Sequence, residues 1–221
     1  MLYNIFAFSV MAFQSRFRPC PWSAVYDARH IREKGYNCPY KHCEYRWPSV
    51  MRHSSTLLSD SIPKFINTCY ELNVQAVPGL RLNSLLYKIK LGQFRIKDCK
   101  LVILHCGTND FLSKSNDEIV CLLQRTVSAV RRLNPLCIIA VSSIIQRPCD
   151  DDDRSQRLCE LNRSILKMCR NEKCEFLKTY RAFLGCEKSC FAIDGLHLNR
   201  QGVQKLKSFF EHTVRRLKGR F

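Results

Sequence analysis

From Ser54 onward, short runs rich in aliphatic and β-branched residues alternate with longer amphipathic runs, and this alternation constrains the fold more than any other feature. Parallel strands need a long crossover between them, which an amphipathic helix supplies, so the pattern predicts a parallel sheet covered by helices. The clearest strand is Cys99–Gly107, "CKLVILHCG", a continuous apolar run of the kind buried on both faces, closed by a turn signal. Further strands are expected near Thr56–Leu58 and over Asn73–Gly79, Cys137–Ile144 and Cys174–Tyr180. Helices are expected from about Pro63 to Leu72, Leu82 to Leu91, Asp117 to Leu133, Arg154 to Cys169 and Arg200 to Leu217. In the third of these, Ile119, Leu122, Leu123, Val127, Val130 and Leu133 form one apolar stripe. Five strands with crossover helices make a three-layer, doubly wound α/β domain, whose ligands belong beyond the carboxyl ends of the strands.

Residues 1–52 differ from this: they are aromatic, basic and aperiodic, with Pro21, Pro39 and Pro48 breaking any long helix. The chain therefore divides into an N-terminal extension, 1–52, and a domain, 53–221. The apolar stretch Met1–Phe13 is interrupted by Asn4 and Ser9 and is too short for a membrane span. Its basic residues, Arg16 and Arg18, follow rather than precede it, which is the wrong order for a secretory signal. Fourteen cysteines in 221 residues fall below the roughly 8–10% that marks a disulfide scaffold. Cys69, Cys106, Cys121, Cys137 and Cys159 fall inside apolar patterns, where a thiol acts as a small hydrophobe, so an intracellular, reducing setting is expected. Cys20, His30, Cys38, His42 and Cys43 lack the tight paired spacing of common zinc sites, and no metal or cofactor is expected.

The residues directly after each strand are the candidates for chemistry. "LLSDSIPKF" places Ser59, Asp60 and Ser61 at a strand-to-helix junction. Helix capping alone would explain such residues, but a serine there also faces solvent above the sheet, with its own N–H at a helix N-terminus. After the third strand, "HCGTND" offers the Asn109 carboxamide as a hydrogen-bond donor to an oxyanion. Gly79 ends the second strand, where its backbone N–H can approach the same point. Before the last helix, the Asp194-x-x-His197 spacing lets a carboxylate hold one imidazole nitrogen while the other accepts a serine proton. Each signal has a bland reading as a cap, a turn or an exposed loop. Four of different chemical type on one edge of one sheet point to a site.

In order and wording these blocks resemble the SGNH hydrolases, the GDSL-like esterase and lipase superfamily: "LLSDS", then Gly79, "LHCGTND" and "DGLHLNRQG". "SDSIPKFI" and "GLHLNRQG" are most similar to esterase-type domains found beside retrotransposon reading frames. The resemblance covers about Thr56 to Leu206 and implies a flavodoxin-like sheet of five parallel strands. It implies Ser61 as nucleophile, His197 as general base and then acid, and Asp194 as the orienting carboxylate. It implies an oxyanion hole formed by the backbone N–H groups of Ser61 and Gly79 and the Asn109 side chain. Asp60 would brace the nucleophile loop through hydrogen bonds to backbone N–H groups. Ser59 departs from the family, which usually has glycine there; if the position needs φ > 0, the serine is strained.

The expected activity is hydrolysis of short-chain carboxylic esters through an acyl-enzyme, without metal or cofactor. The rival reading keeps the fold as a nucleic-acid-binding module whose esterase activity is weak or lost. Lys and Arg outnumber Asp and Glu by 36 to 19, a formal charge of +17, which favours polyanionic neighbours, nucleic acid or acidic membrane surfaces, without selecting between them; the rival reading takes nucleic acid. Arg200, Lys205, Lys207, Arg215, Arg216, Lys218 and Arg220 concentrate on and after the last helix. Asp150–Asp153 reads as charge at a helix N-terminus, with contact to a metal or a cationic substrate as the lesser alternative. Cys186-x3-Cys190 reads as two free thiols, or as a disulfide if the protein is exported.

Overall fold

The computed structural model describes residues 54–63, 66 and 71–220. The extension 1–52, its zinc candidates and Cys69 lie outside them. Strands β1 (Ser55–Ser59), β2 (Leu72–Ala76), β3 (Leu101–His105), β4 (Ile138–Ser142) and β5 (Glu175–Leu177) form one parallel sheet in the order β2-β1-β3-β4-β5. Among the described residues six helices accompany them: α1 (Leu82–Lys90), α2 (Thr108–Phe111), α3 (Asn116–Leu133), α4 (Asp152–Asn171), α5 (Glu187–Cys190) and α6 (Arg200–Lys218). A 3-10 turn covers Thr179–Phe183. No described helix is long and apolar enough to cross a membrane.

The sheet is buried on both faces because successive side chains alternate between two cores. Leu58, Val102, Leu104 and Val141 pack beneath α1, α3 and α4. Leu57, Leu101, Ile103 and Ala140 face the other way, against Leu206, Phe210, Val214 and Leu217 of α6. Each fully buried aliphatic side chain contributes about 1.5–3 kcal/mol by leaving water. The α3 stripe is buried from Ile119 to Val130, and a reciprocal capping box between Ser115 and Glu118 opens that helix.

Several expectations are corrected. The helix expected to run to Leu72 cannot do so: Leu72 pairs with Ser55 as the first residue of β2. "GTND" is a helical turn rather than an open one, entered through Gly107 at φ 124. Helix α4 begins within the acidic run, with Asp151 as N-cap accepting from the Arg154 N–H at 2.8 Å and Asp152 and Asp153 in the first turn. Asp150 is not part of that end; it forms a buried ion pair with Arg147. Of the cysteines expected inside, Cys106 is buried and Cys137 half-buried, but Cys121 and Cys159 lie on the solvent faces of α3 and α4. Ser59 is not strained: among the described residues only Lys173 combines a side chain with positive φ.

Candidate active site

In this strand order the winding direction reverses between β1 and β3, so the connections leaving those two strands diverge and open a crevice at their carboxyl ends. Ser61 follows β1 and Asn109 follows β3, one on each side of that switch point. Asp60 Oδ1 accepts from the Ile62 N–H at 3.0 Å, a side-chain turn that bends the chain at Ser61. The end of β1 is held to β3 by the Ser59 hydroxyl, which donates to the His105 carbonyl at 2.7 Å. Ser61 is half-buried, and its hydroxyl makes no hydrogen bond among the described residues, to His197 or to any other group.

Asp60 is almost wholly buried, and its Oδ2 has no partner among the described residues. Burial raises its carboxyl to about 7, against the Ile62 hydrogen bond and assisted by the nearby Asp110 charge. Asp110 is raised by the same desolvation, but its Oδ2 accepts from the Leu82 N–H at 2.8 Å and so caps α1. Sequence reasoning missed this tie between the exit of β3 and the entry of α1; the final residue of "GTND" is its only sequence trace.

Val77, Pro78, Gly79 and Leu80 form a turn closed by the Leu80 N–H on the Val77 carbonyl at 3.1 Å. Proline second and glycine third, with Gly79 at φ +68, is the type II pattern. Glycine is needed for that φ rather than for space, since a Cβ there would meet nothing within 4 Å. The Gly79 N–H has no partner among the described residues. Asn109 Nδ2 donates to the Leu80 carbonyl at 3.1 Å, which ties Asn109 to the turn that carries Gly79, two of the three groups expected in the oxyanion hole, and leaves one amide hydrogen over.

Asp194 and His197 share a closed loop. Its base is the antiparallel bridge Phe191–Leu198, and the Ala192 N–H donates to the His197 carbonyl at 2.7 Å. At its tip the Gly195 N–H returns to the Ala192 carbonyl, with Gly195 at φ +62. Asp194 Oδ2 lies 2.8 Å from His197 Nδ1, while Oδ1 accepts from the N–H groups of Leu196 at 3.1 Å and His197 at 3.0 Å. Burial works to raise the Asp194 carboxyl, but the His197 ring and these N–H groups outweigh it and hold the carboxyl well below its ordinary range. The pairing fixes the tautomer with the proton on Nδ1 and leaves Nε2 as an acceptor.

Two further residues hold this loop. Asn199 caps α6 by accepting from the Gly202 N–H at 3.0 Å, and its Nδ2 donates to the carbonyls of Ser189 and Phe191. A Cβ on Gly202 would lie 2.1 Å from the Cys190 carbonyl oxygen, so α6 can dock here only with glycine. Both stand in "LNRQG", a signal visible in the sequence but legible there only as a helix start. A second imidazole, His105, is buried behind the site; burial lowers it to about 4, and its Nδ1 pairs with the Ser142 hydroxyl at 2.7 Å.

A profile of the GDSL-like lipase/acylhydrolase family matches residues 34–205. A lipase from a goat rumen metagenome superposes with a TM-score of 0.61 at 14% identity, over 73% of this chain and 97% of that one. A GDSL-like lipase from Bacteroides thetaiotaomicron gives 0.60 at 14% identity, over 73% and 87%. A carbohydrate esterase of family 3 from Talaromyces cellulolyticus gives 0.61 at 16% identity, over 77% and 100%. No curated protein matches in a sequence search. The structural likenesses speak for the fold, which is that of the SGNH hydrolases. The profile match spans most of the chain, and by it the protein belongs to the GDSL-like lipase/acylhydrolase family, hydrolases of ester bonds.

Proposed function

We propose that Ser61, His197 and Asp194 act as a triad that hydrolyses short-chain carboxylic esters through an acyl-enzyme. The observation that carries this reading is the Asp194–His197 pair, 2.8 Å apart and locked by two further backbone hydrogen bonds, the held imidazole that a serine nucleophile needs. Ser61 Oγ adds to the ester carbonyl as His197 Nε2 takes its proton. The oxyanion is met by the N–H groups of Ser61 and Gly79 and by the Asn109 amide hydrogen that the Leu80 carbonyl leaves over. His197 returns the proton to the leaving alcohol, then deprotonates a water that releases the acid and restores Ser61. Asp194 remains ionised throughout, and Asp60 shapes the nucleophile turn.

Short acyl groups fit the short connections that leave β2 and β3. A fluorophosphonate probe tests the reading: Ser61 should be the labelled residue, and Ser61→Ala should lose both labelling and hydrolysis of p-nitrophenyl acetate. Folded wild-type protein that resists the probe would refute the triad.

A second reading attaches to the basic surface. Lys90 of α1 and Arg125 and Arg132 of α3 line one groove with Leu86, Gln124 and Ser128. Together with the charge of +17, this groove suits the phosphates of a nucleic acid. Binding that weakens steeply with salt, is lost on reversing these three charges and is indifferent to Ser61→Ala would support that role.

A further inference from the structure

Beside the Asp194–His197 loop, three side chains meet that the hydrolytic mechanism does not use. Cys186 precedes α5 and Cys190 ends it, and their sulfurs lie 3.2 Å apart. Lys205 of α6 donates from Nζ to Cys186 Sγ at 3.3 Å. Cys190 is fully buried, whereas Cys186 is half-buried. We infer that Cys186 and Cys190 form a redox-active dithiol that closes to an intramolecular disulfide when the protein meets a small-molecule disulfide of the glutathione class.

The geometry assigns the roles. Cys186 is the less buried of the two cysteines, and the Lys205 ammonium lies against its sulfur. Cys190 is buried away from outside reagents, and burial pushes its thiol up, so it stays a thiol until Cys186 carries the mixed disulfide. In the first exchange Cys186 attacks one sulfur of oxidised glutathione, whose S–S bond breaks. One glutathione leaves and takes the proton that Cys186 gave up, and the other stays on Cys186 as a mixed disulfide. Cys190 then attacks Cys186 Sγ, and the second glutathione departs with the Cys190 proton. Two protein thiols are oxidised to one disulfide, and one glutathione disulfide is reduced to two thiols.

Closure asks the sulfurs to approach by about 1.1 Å, from 3.2 Å to the bonded distance of about 2.05 Å. Such a shift reaches the active-site loop directly. The Cys190 carbonyl accepts from the Asn199 N–H at 3.0 Å and is the atom against which Gly202 packs. Oxidation therefore moves the base of the loop that carries Asp194 and His197. That consequence rests on the proposed triad, but the cross-link itself does not.

The test uses the full chain, reduced, freed of reductant, exposed to oxidised glutathione, alkylated and digested with trypsin. Lys188 separates the two cysteines, so the disulfide appears as peptide 182–188 joined to peptide 189–200. Cys190→Ser should trap glutathione on Cys186, and Cys186→Ser should give neither the cross-link nor an adduct on Cys190. Lys205→Met should slow closure several-fold. Alkylation of both cysteines after oxidation, or glutathione resting on Cys186 of the wild type, would overturn the inference. So would an adduct on Cys190 in the Cys186→Ser protein. Fluorophosphonate labelling of Ser61 should slow in the cross-linked form. If Ser61 fails to label even when reduced, the triad falls while the mapped cross-link stands.

Discussion

His197 Nδ1 and Asp194 Oδ2 lie 2.8 Å apart within a loop whose backbone bonds to itself and to the N-terminus of α6. The carboxylate is thus held by the chain that follows it, and the imidazole inherits its orientation. Replacing Asp194 with Asn leaves a group of the same shape that can present an amide N–H to Nδ1 and so favour the wrong tautomer. On the proposed mechanism, kcat for p-nitrophenyl acetate falls by on the order of 10^4 in Asp194→Asn.

The same carboxylate makes stability depend on pH. Its folded pKa lies below the ordinary value of 3.8, so its contribution is complete above that value and is lost as pH falls below it. Urea midpoints measured between pH 6 and pH 2.5 should fall more steeply for the wild type than for Asp194→Asn. Parallel curves would show that the pairing does not stabilise the fold.

Asp60 behaves in the opposite sense. Its folded value of about 7 lies above the ordinary 3.8, so the native state holds the proton more tightly than the unfolded chain does. The stability this provides is present at low pH and is lost as pH rises from about 4 to about 7. Asp60→Asn keeps an oxygen for the Ile62 N–H but cannot ionise. The variant should gain stability relative to wild type across that interval, read as a urea-midpoint difference that grows from pH 4 to pH 7.

Ser59→Gly removes a hydroxyl without restoring anything the turn lacks. Ser59 ends a strand, is not at positive φ, and donates to the His105 carbonyl at 2.7 Å. Losing that bond and stiffness should destabilise the protein by about 1–2 kcal/mol, seen as a lower melting temperature. An increase in esterase rate would instead mean that the serine restrains the nucleophile turn.

Gly202→Ala sets a methyl group 2.1 Å from the Cys190 carbonyl oxygen, and helix α6 or the Asp194–His197 loop must shift to admit it. A stability loss of about 1–3 kcal/mol is expected, and on the proposed mechanism kcat falls while KM changes less, since His197 is displaced and the substrate cavity is not. Unchanged kcat would show that α6 does not set the position of His197.

The parallel sheet, its helices and the residues at each strand end were legible in the sequence because they rest on local periodicity and short turn motifs. Leu101 to Leu104 could hardly be other than a buried strand, and Gly107 to Asp110 directly after it carry turn residues that the run itself brings to the strand's end. What the tertiary structure decided depends on partners remote in sequence. Leu72 became a strand through pairing with Ser55, Ser59 found the His105 carbonyl, and Asp110 capped a helix 28 residues before it. Cys186, Cys190 and Lys205 became one cluster in the same way. Periodicity is a property of neighbours along the chain, whereas hydrogen bonds and burial belong to neighbours in space, which exist only once the chain has folded.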